Sequence, residues 1–265
     1  MTLASTLAAA SGPPSPGPAD FDLPAIFNLG EFGVTKPMVL LTVSAVIIAG
    51  VLYFAARPAA VVPGRFQFAG ELVYGFVRNG IARDNIGSAE YQKYVPYLFS
   101  VFLFVLVNNF YGLIPFLQFP SFSHIGFAAA IALLSWLLYN GAGVVKHGFV
   151  GYLKHETVPS GMKGPILLLL VPLEFLSNIL LRPLTLTLRL FATMFAGHLL
   201  LILFSLGGEY LLLHSEPVVN KVAGVFSVLL FVAISFLEIL VMFLQAYVFT
   251  LLSSMYIGEA IADEH

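Results

Sequence analysis

The side chains of this protein that could do chemistry are a few ionisable residues placed inside long apolar segments. An arginine at the centre of a bilayer costs roughly 2.5 to 3.5 kcal/mol on insertion scales, so an ionisable residue retained there usually has a function and a partner. Their types divide them into fixed charges and proton carriers. The residues of this kind are Glu174, Arg182, Arg189, His198 and Glu238.

Arg189 is the most isolated of these charges, because no Asp or Glu lies within seven residues of it in the sequence. An arginine keeps its proton at neutral pH, so Arg189 can act only as a fixed positive charge and a hydrogen-bond donor. We therefore expect a negatively charged partner outside its own helix. The alternative is a structural arginine that extends to the interface or pairs with Glu238 for packing alone.

His198 and Glu238 are the residues that could carry protons, since histidine titrates near neutral pH and a carboxyl group also exchanges a proton. If their segments form an antiparallel hairpin that turns near 215–217, residues whose numbers add up to about 432 lie at equal depth. His198 with Glu238, and Arg189 with Gln245, satisfy this relation to within about one turn. For the first pair the alternative is a hydrogen bond between helices with no transport role.

Arg189 and His198 are nine residues apart, which places them on opposite sides of a helix. This spacing suits two separate functions, with Arg189 facing an external partner while His198 and Glu238 line a polar path from the outside. A fixed positive charge between two aqueous half-paths prevents a proton from crossing directly. A proton would then need a mobile carrier outside this chain.

The other polar residues of the apolar segments have structural explanations beside functional ones. Glu174, with Asn178 close by, could line a second path that opens inward, but an acid in the first turns of a helix also complements the helix dipole. Arg182 lies nearer the cytoplasm, and extension of its side chain to the interface accounts for it. Asn108 and Asn109 are buried amides, and hydrogen bonding between helices is expected for at least one of them.

The composition indicates that these residues are held by membrane helices. Of 265 residues, 59% are hydrophobic and only 10% are charged, too few charges to cover a soluble fold of this size. A net charge of −2 offers no basic excess for nucleic acid, and the absence of cysteine excludes disulfides and thiolate metal sites. The sequence contains no phosphate-binding glycine loop, so we predict no cofactor, no metal and no ATP chemistry. The predicted fold is an all-α polytopic membrane domain.

Uncharged runs and turn signals divide the chain into about five crossings. No Asp, Glu, Lys or Arg lies between Lys93 and Lys146, and this run must turn back once near Pro120. The last two apolar segments are longer than a bilayer is thick, which predicts long and strongly tilted helices. The predicted parts are a mobile tail at 1–36 and a single membrane domain at 37–265, with a first span at 37–56, an interfacial amphipathic helix at 66–84, a helical hairpin at 94–118 and 123–146, and long helices at 163–206 and 218–260.

The distribution of lysine and arginine predicts the orientation of the chain in the membrane. These residues concentrate in 57–93 and 146–163, and the positive-inside rule places such loops in the cytoplasm. With five crossings, the amino terminus then lies outside the cell and the carboxyl terminus in the cytoplasm.

Three sequence motifs resemble the subunit a family of the F-type ATP synthases, and specifically its bacterial members. The motifs are RPLTLTLRLFATMFAGH at 182–198, EILVMFLQAYVF at 238–249 and NNFYGLIP at 108–115. The resemblance covers about 94–258, with the segments in matching order. It implies the membrane-embedded stator half of the Fo motor, located in the cell membrane, with the remaining ATP synthase subunits, the peripheral-stalk b subunit and the c-subunit ring as partners.

The resemblance also implies roles for individual residues. The essential arginine that faces the ring carboxylates would be Arg189, and one departure from the family is Thr193, where asparagine is common. The other residues implied in proton translocation are Gln245 beside the arginine, Glu238 and His198 as the outer pair, Asn109 of the asparagine motif, and Glu174 on the cytoplasmic side.

Two other classes of function are compatible with buried charges in a membrane. A secondary transporter usually carries internal repeats and interrupted helices in both halves, and no such repeat is visible in this sequence. A purely structural membrane subunit would hold the same charges without a proton path.

Overall fold

Helices form nearly all of the chain that the computed structural model describes. The described residues are 17, 26–29, 32–55, 64–87, 90–114, 117, 119–157, 167–215 and 217–262. Most of the predicted mobile tail, and the predicted helix start at 163–166, lie outside these residues.

The long helices alternate with short helices that run between them. Two π-helical segments occur, Arg78–Arg83 after α2 and Leu176–Leu181 between α6 and α7. The α-helices numbered here are α1 (Lys36–Ala55), α2 (Arg65–Val77), α3 (Tyr91–Phe110), α4 (Ile125–His147), α5 (Phe149–Thr157), α6 (Leu167–Phe175), α7 (Arg182–Leu213) and α8 (Val218–Ala260).

Five helical segments of the described chain are long and apolar enough to cross a membrane. They are α1, α3, α4, the continuous run from α6 through the π-helical segment into α7, and α8. The all-α polytopic fold predicted from the sequence is therefore confirmed. The last two segments have 45 and 43 residues, so each extends over about 65 Å and must tilt or bend to fit a hydrocarbon layer of about 30 Å.

A short antiparallel strand pair precedes the first span, inside the region that the sequence predicts as a tail. The strands β1 (Phe27–Leu29) and β2 (Phe32–Val34) pair with Phe27 opposite Val34. At the start of α1, Lys36 donates from Nζ to the carbonyl oxygen of Leu117 at 2.6 Å. This bond joins the strand pair's end of α1 to the loop that follows α3.

Helices α7 and α8 form the antiparallel hairpin that the depth relation assumes. Helix α7 continues through Gly207 and Gly208 and ends at Leu213, so the turn lies close to the position near 215–217 that the depth relation assumes. A Cβ at Gly208 would be 3.1 Å from Val228, and the Ser227 hydroxyl donates to the Phe204 carbonyl oxygen at 2.9 Å. In each of these contacts the two residue numbers add up to about 432, as the depth relation predicts for residues at equal depth.

The interior of the bundle is formed where α3, α4, α7 and α8 meet. Small residues of α4, Ala128 and Ala132, are fully buried there and let the larger side chains of its neighbours fill the space. Buried apolar side chains of the other three helices include Leu98, Phe102, Val105, Leu186, Leu190, Met194, Met242, Ala246 and Phe249.

The π-helical segment after α2 packs against the carboxyl end of α8. Ser254 donates from Oγ to the carbonyl oxygen of Ile81 at 3.1 Å, and Gly258 lies so close to the Asn85 carbonyl that a Cβ there would overlap it. The region predicted as an interfacial helix therefore also closes one end of the bundle.

Trp136, the single tryptophan, supports the junction between the second π-helical segment and α7. Proline has no N–H, so Pro183 cannot donate to the carbonyl oxygen four residues earlier, that of Ile179. The indole Nε1 of Trp136 donates to this oxygen at 2.8 Å. A side chain of α4 thus replaces the missing helical bond to this partly buried carbonyl group.

We expect Trp136→Phe to destabilise the protein by about 0.5–1.5 kcal/mol, the net contribution of one hydrogen bond to a partly buried carbonyl group. Pro183→Ala supplies a backbone N–H at the junction, so the cost of Trp136→Phe should be smaller in that background. The measurement is the amount of folded protein recovered in mild detergent after heating, for the wild type, both single variants and the double variant. Equal costs in both backgrounds would show that Trp136 acts through packing alone.

Candidate functional site

Arg189 lies on the outward face of α7, whereas its helix neighbours Leu186, Leu190 and Met194 point into the bundle and are buried. Its side chain is exposed, and within the described part of the chain it forms no ion pair. That its partner lies outside its own helix stays a prediction. The face can therefore present a fixed positive charge to another molecule.

The surface beside Arg189 is built from small side chains. Thr185, Ala192 and Ala196 are exposed on the same face of α7. Small residues let another helix approach closely, as they do at interfaces between membrane helices. Thr193 donates from Oγ1 to the carbonyl oxygen of Arg189 at 2.7 Å, so its hydroxyl is engaged with its own helix.

Glu238 and His198 both lie in the interior of the α7–α8 hairpin, with 5% and 8% of their surface exposed. Gly197, the residue before His198, lies directly against the Glu238 carboxylate: a Cβ there would be 3.0 Å from Oε1. Neither carboxylate oxygen of Glu238 has a hydrogen-bond partner among the described residues. A buried carboxyl group without donors is costly unless it is protonated or reached by water.

Asn109 connects α3 to α8 at the level between Glu238 and Gln245. It donates from Nδ2 to the carbonyl oxygen of Met242 at 3.2 Å, which is the bond between helices expected for one of the two asparagines. Asn108 instead donates to Phe104 of its own helix at 2.8 Å. Gln245 is buried, with 5% of its surface exposed, so it faces the bundle while Arg189 faces away from it.

A second cluster surrounds Arg182 at the other end of α7. Asn178 accepts from Arg182 Nη2 at 2.9 Å and donates to Glu174 Oε2 at 3.2 Å. Arg182 also forms ion pairs with Glu259 at 2.9 Å and Glu156 at 3.7 Å. The guanidinium is held by side chains of three helices and does not need to extend to the interface.

Sequence reasoning missed Glu156 and Glu259, because both lie outside the apolar runs. Glu156 belongs to α5, outside the spans; burial raises the pKa of its carboxyl, and the Arg182 guanidinium acts in the opposite direction. No local spacing brings these residues together, since they lie 26 and 77 positions from Arg182 in the sequence. Among the described residues, no group of three or more His, Cys, Asp or Glu residues could hold a metal ion.

Comparison with known proteins agrees with these features. The sequence model of the family described as ATP synthase A chain matches residues 38–258. The chain belongs to this family. The match includes the first span as well as the motif segments, and the predicted family is confirmed, as is the prediction of a non-catalytic membrane component.

Several relatives are actinobacterial proteins named ATP synthase subunit a. The protein of a Nocardioides species is 57% identical over 260 residues, covering 94% of each chain. That of Pseudarthrobacter chlorophenolicus is 48% identical over 252 residues, again covering 94% of each chain. That of Streptomyces lividans is 39% identical over 256 residues, covering 96% of this chain and 90% of the relative.

We expect Gly197→Ala to reduce ATP-driven proton pumping several-fold, because the new methyl group displaces the Glu238 carboxylate from its position. Gly207→Ala is the matched control on the same helix, since a Cβ there meets only the Ser227 hydroxyl at 3.9 Å. Pumping is measured as vesicle acidification with the intact complex in inverted membranes. If both variants pump equally well, the position of the Glu238 carboxylate has no part in transport.

Proposed function

We propose that this chain is the proton-conducting stator subunit of the Fo motor, with two offset half-paths that load and unload protons on carboxylates of a c-subunit ring. The observation that carries the proposal is the position of Arg189. It is a charge on the outward face of α7, flanked by small residues and without an ion-pair partner among the described residues. A ring of helices that bears carboxylates would supply both the contact and the counter-charge.

The outer half-path is assigned to the polar residues buried between α3, α7 and α8. Glu238 and His198 can exchange protons, and Asn109 with Gln245 provides further polar groups toward the level of Arg189. The Glu238 oxygens have no donor among the described side chains, which leaves them available to water and to a proton. This supports a role in transport over a hydrogen bond that only joins the two helices.

The inner half-path is assigned to Glu174 and Asn178, which are hydrogen-bonded to each other before the start of α7. They precede Arg189 by about three to four helical turns, so the inner and outer groups lie on different sides of the fixed charge. A proton cannot pass the field of Arg189, whereas a ring carboxylate that releases its proton is stabilised by it. Rotation of the ring then links the two half-paths.

Assembly follows from the same assignment. The chain would work as part of the ATP synthase of the cell membrane, beside the peripheral-stalk b subunit and the remaining subunits. The amino terminus would lie outside and the carboxyl terminus in the cytoplasm, the orientation favoured by the basic loops. ATP chemistry would take place in other subunits.

Replacing Arg189 with Ala should abolish ATP-driven proton pumping, because a ring carboxylate would no longer be held ionised as it passes. The measurement is vesicle acidification by the complete enzyme in inverted membranes, normalised to the amount of assembled complex. Arg65→Ala is the matched control, since Arg65 is an exposed arginine of α2 and should leave pumping unchanged. Near-normal pumping by the Arg189 variant would refute the role of this residue.

Replacing Glu238 with Gln should slow proton translocation, because the amide keeps the shape of the side chain but cannot carry a proton. Glu209→Gln removes an exposed carboxylate from the same helical hairpin and should leave the rate unchanged. Passive proton flux through membranes stripped of the soluble sector measures the path directly. An unchanged rate in the Glu238 variant would mean that the residue only helps to join α7 and α8.

A further inference from the structure

The Arg182 cluster has a geometry that neither proton storage nor simple anchoring explains. Arg182 has 16% of its side chain exposed, and its guanidinium also lies over the ring of Tyr256, 4.8 Å from the ring centre. Its polar partners come from three elements: Glu156 from α5, Asn178 from the π-helical segment between α6 and α7, and Glu259 from the end of α8. Its position is therefore fixed from several directions.

Arg182 determines the orientation of the Asn178 amide. A guanidinium has only donors, so the group of Asn178 that faces it must be the carbonyl oxygen Oδ1. The Nδ2 group is then directed to the other side, where it donates to Glu174 Oε2 at 3.2 Å and to the backbone oxygen of Glu156 at 2.9 Å. Arg182 and the Glu156 backbone oxygen thus favour the same orientation of the amide, and without Arg182 that orientation would depend on the backbone oxygen alone.

The orientation of Asn178 in turn distinguishes the two oxygens of Glu174. An amide N–H can only donate, so it holds Oε2 as an acceptor and leaves Oε1 to take up and release a proton. The carboxyl group then exchanges its proton in one defined direction, as proton transfer by a positioned acid requires.

Glu156 is the residue that holds Arg182 from the cytoplasmic side. Only 5% of its side chain is exposed, compared with 51% for Glu259. A buried carboxylate is retained only with a counter-charge, and Arg182 supplies it for Glu156. The titratable and charged groups around Glu156 in the described chain are Arg182, Glu259, His155, Tyr152 and Tyr139.

We propose that Glu156 and Arg182 are positioning residues of the inner half-path, which act through Asn178 to orient the Glu174 carboxyl group for proton exchange with the cytoplasm. The proposal rests on the proposed function, because it takes Glu174 as the acid of that half-path. It adds a residue of the short helix α5, outside the membrane spans, to the groups that control proton release.

The test measures passive proton flux through membranes that contain the assembled complex stripped of its soluble sector. Glu156→Gln should lower the flux roughly three- to tenfold, because Arg182 loses one of its two carboxylate counter-charges, and Glu156→Asp should restore part of it. The dependence of the flux on the cytoplasmic-side pH should change, while its dependence on the outer pH should not. Glu71→Gln, which removes an exposed carboxylate of α2, is the matched control and should behave as the wild type.

A double-variant comparison separates positioning from a general structural role. If Glu156 acts through Asn178, then Glu156→Gln has no further effect in an Asn178→Leu background. Arg182→Lys keeps the charge but loses the fork that binds Asn178 and Glu259 together, so it should give the same loss and the same non-additivity. This variant also serves as the test if Glu156→Gln prevents assembly, which is followed by the amount of complex in the membrane.

The outcomes distinguish the positioning role of Glu156 and Arg182 from the existence of the inner half-path. The positioning role alone would be overturned if the losses of flux in the double variants were the product of the single losses. Normal flux in assembled Glu156→Gln and Arg182→Lys complexes would overturn it as well. Unchanged flux in Glu174→Gln would overturn the inner half-path itself. We expect Glu174→Gln to lower the proton flux strongly. We also expect the flux losses of the Glu156 and Asn178 variants to be non-additive.

Discussion

A charge inside the hydrocarbon layer must have a partner, and this requirement accounts for the arrangement of the whole bundle. Arg182 meets it within the chain, through two carboxylates and an aromatic ring contributed by α5 and α8. Arg189, one heptad later on the same helix, has no ion-pair partner in the described chain and lies on the outward face. The same type of residue is thus paired within the chain at one level of α7 and exposed on the outward face at the next. The difference follows from which helices pack beside each level.

The two longest helices are held in one register by contacts that leave little freedom to slide. Gly208 and Gly197 bring α7 close to α8 at two levels, one against Val228 and the other against the Glu238 carboxylate. Asn109 adds a bond from α3 to the backbone of α8 between Glu238 and Gln245. Because these contacts are distributed along the hairpin, the depth of each polar residue relative to Arg189 is defined by packing and not by the turn alone.

The features that could be predicted from the sequence are those that depend on a local pattern of residues. Arg189, His198 and Glu238 are conspicuous because apolar residues surround them in the chain, and the antiparallel depth relation follows from the constant rise of a helix. The contacts of Glu156 and Glu259 with Arg182 join distant segments that carry ordinary charged residues, so no pattern marks them. The π-helical segments Arg78–Arg83 and Leu176–Leu181 were likewise not predicted, since no local sequence pattern marks such a turn.

The π-helical segment between α6 and α7 has a consequence for how this protein can change over evolution. A π-type turn accommodates one residue more than an α-helical turn of the same length. Trp136 anchors the downstream side of this wide turn at the Ile179 carbonyl. A residue can therefore be gained or lost upstream of Pro183 by widening or closing the turn, while the alignment of α7 with α8 is retained. The chain can therefore accept an inserted residue at this junction. The junction lies directly beside Asn178 and Arg182, whose positions must be kept.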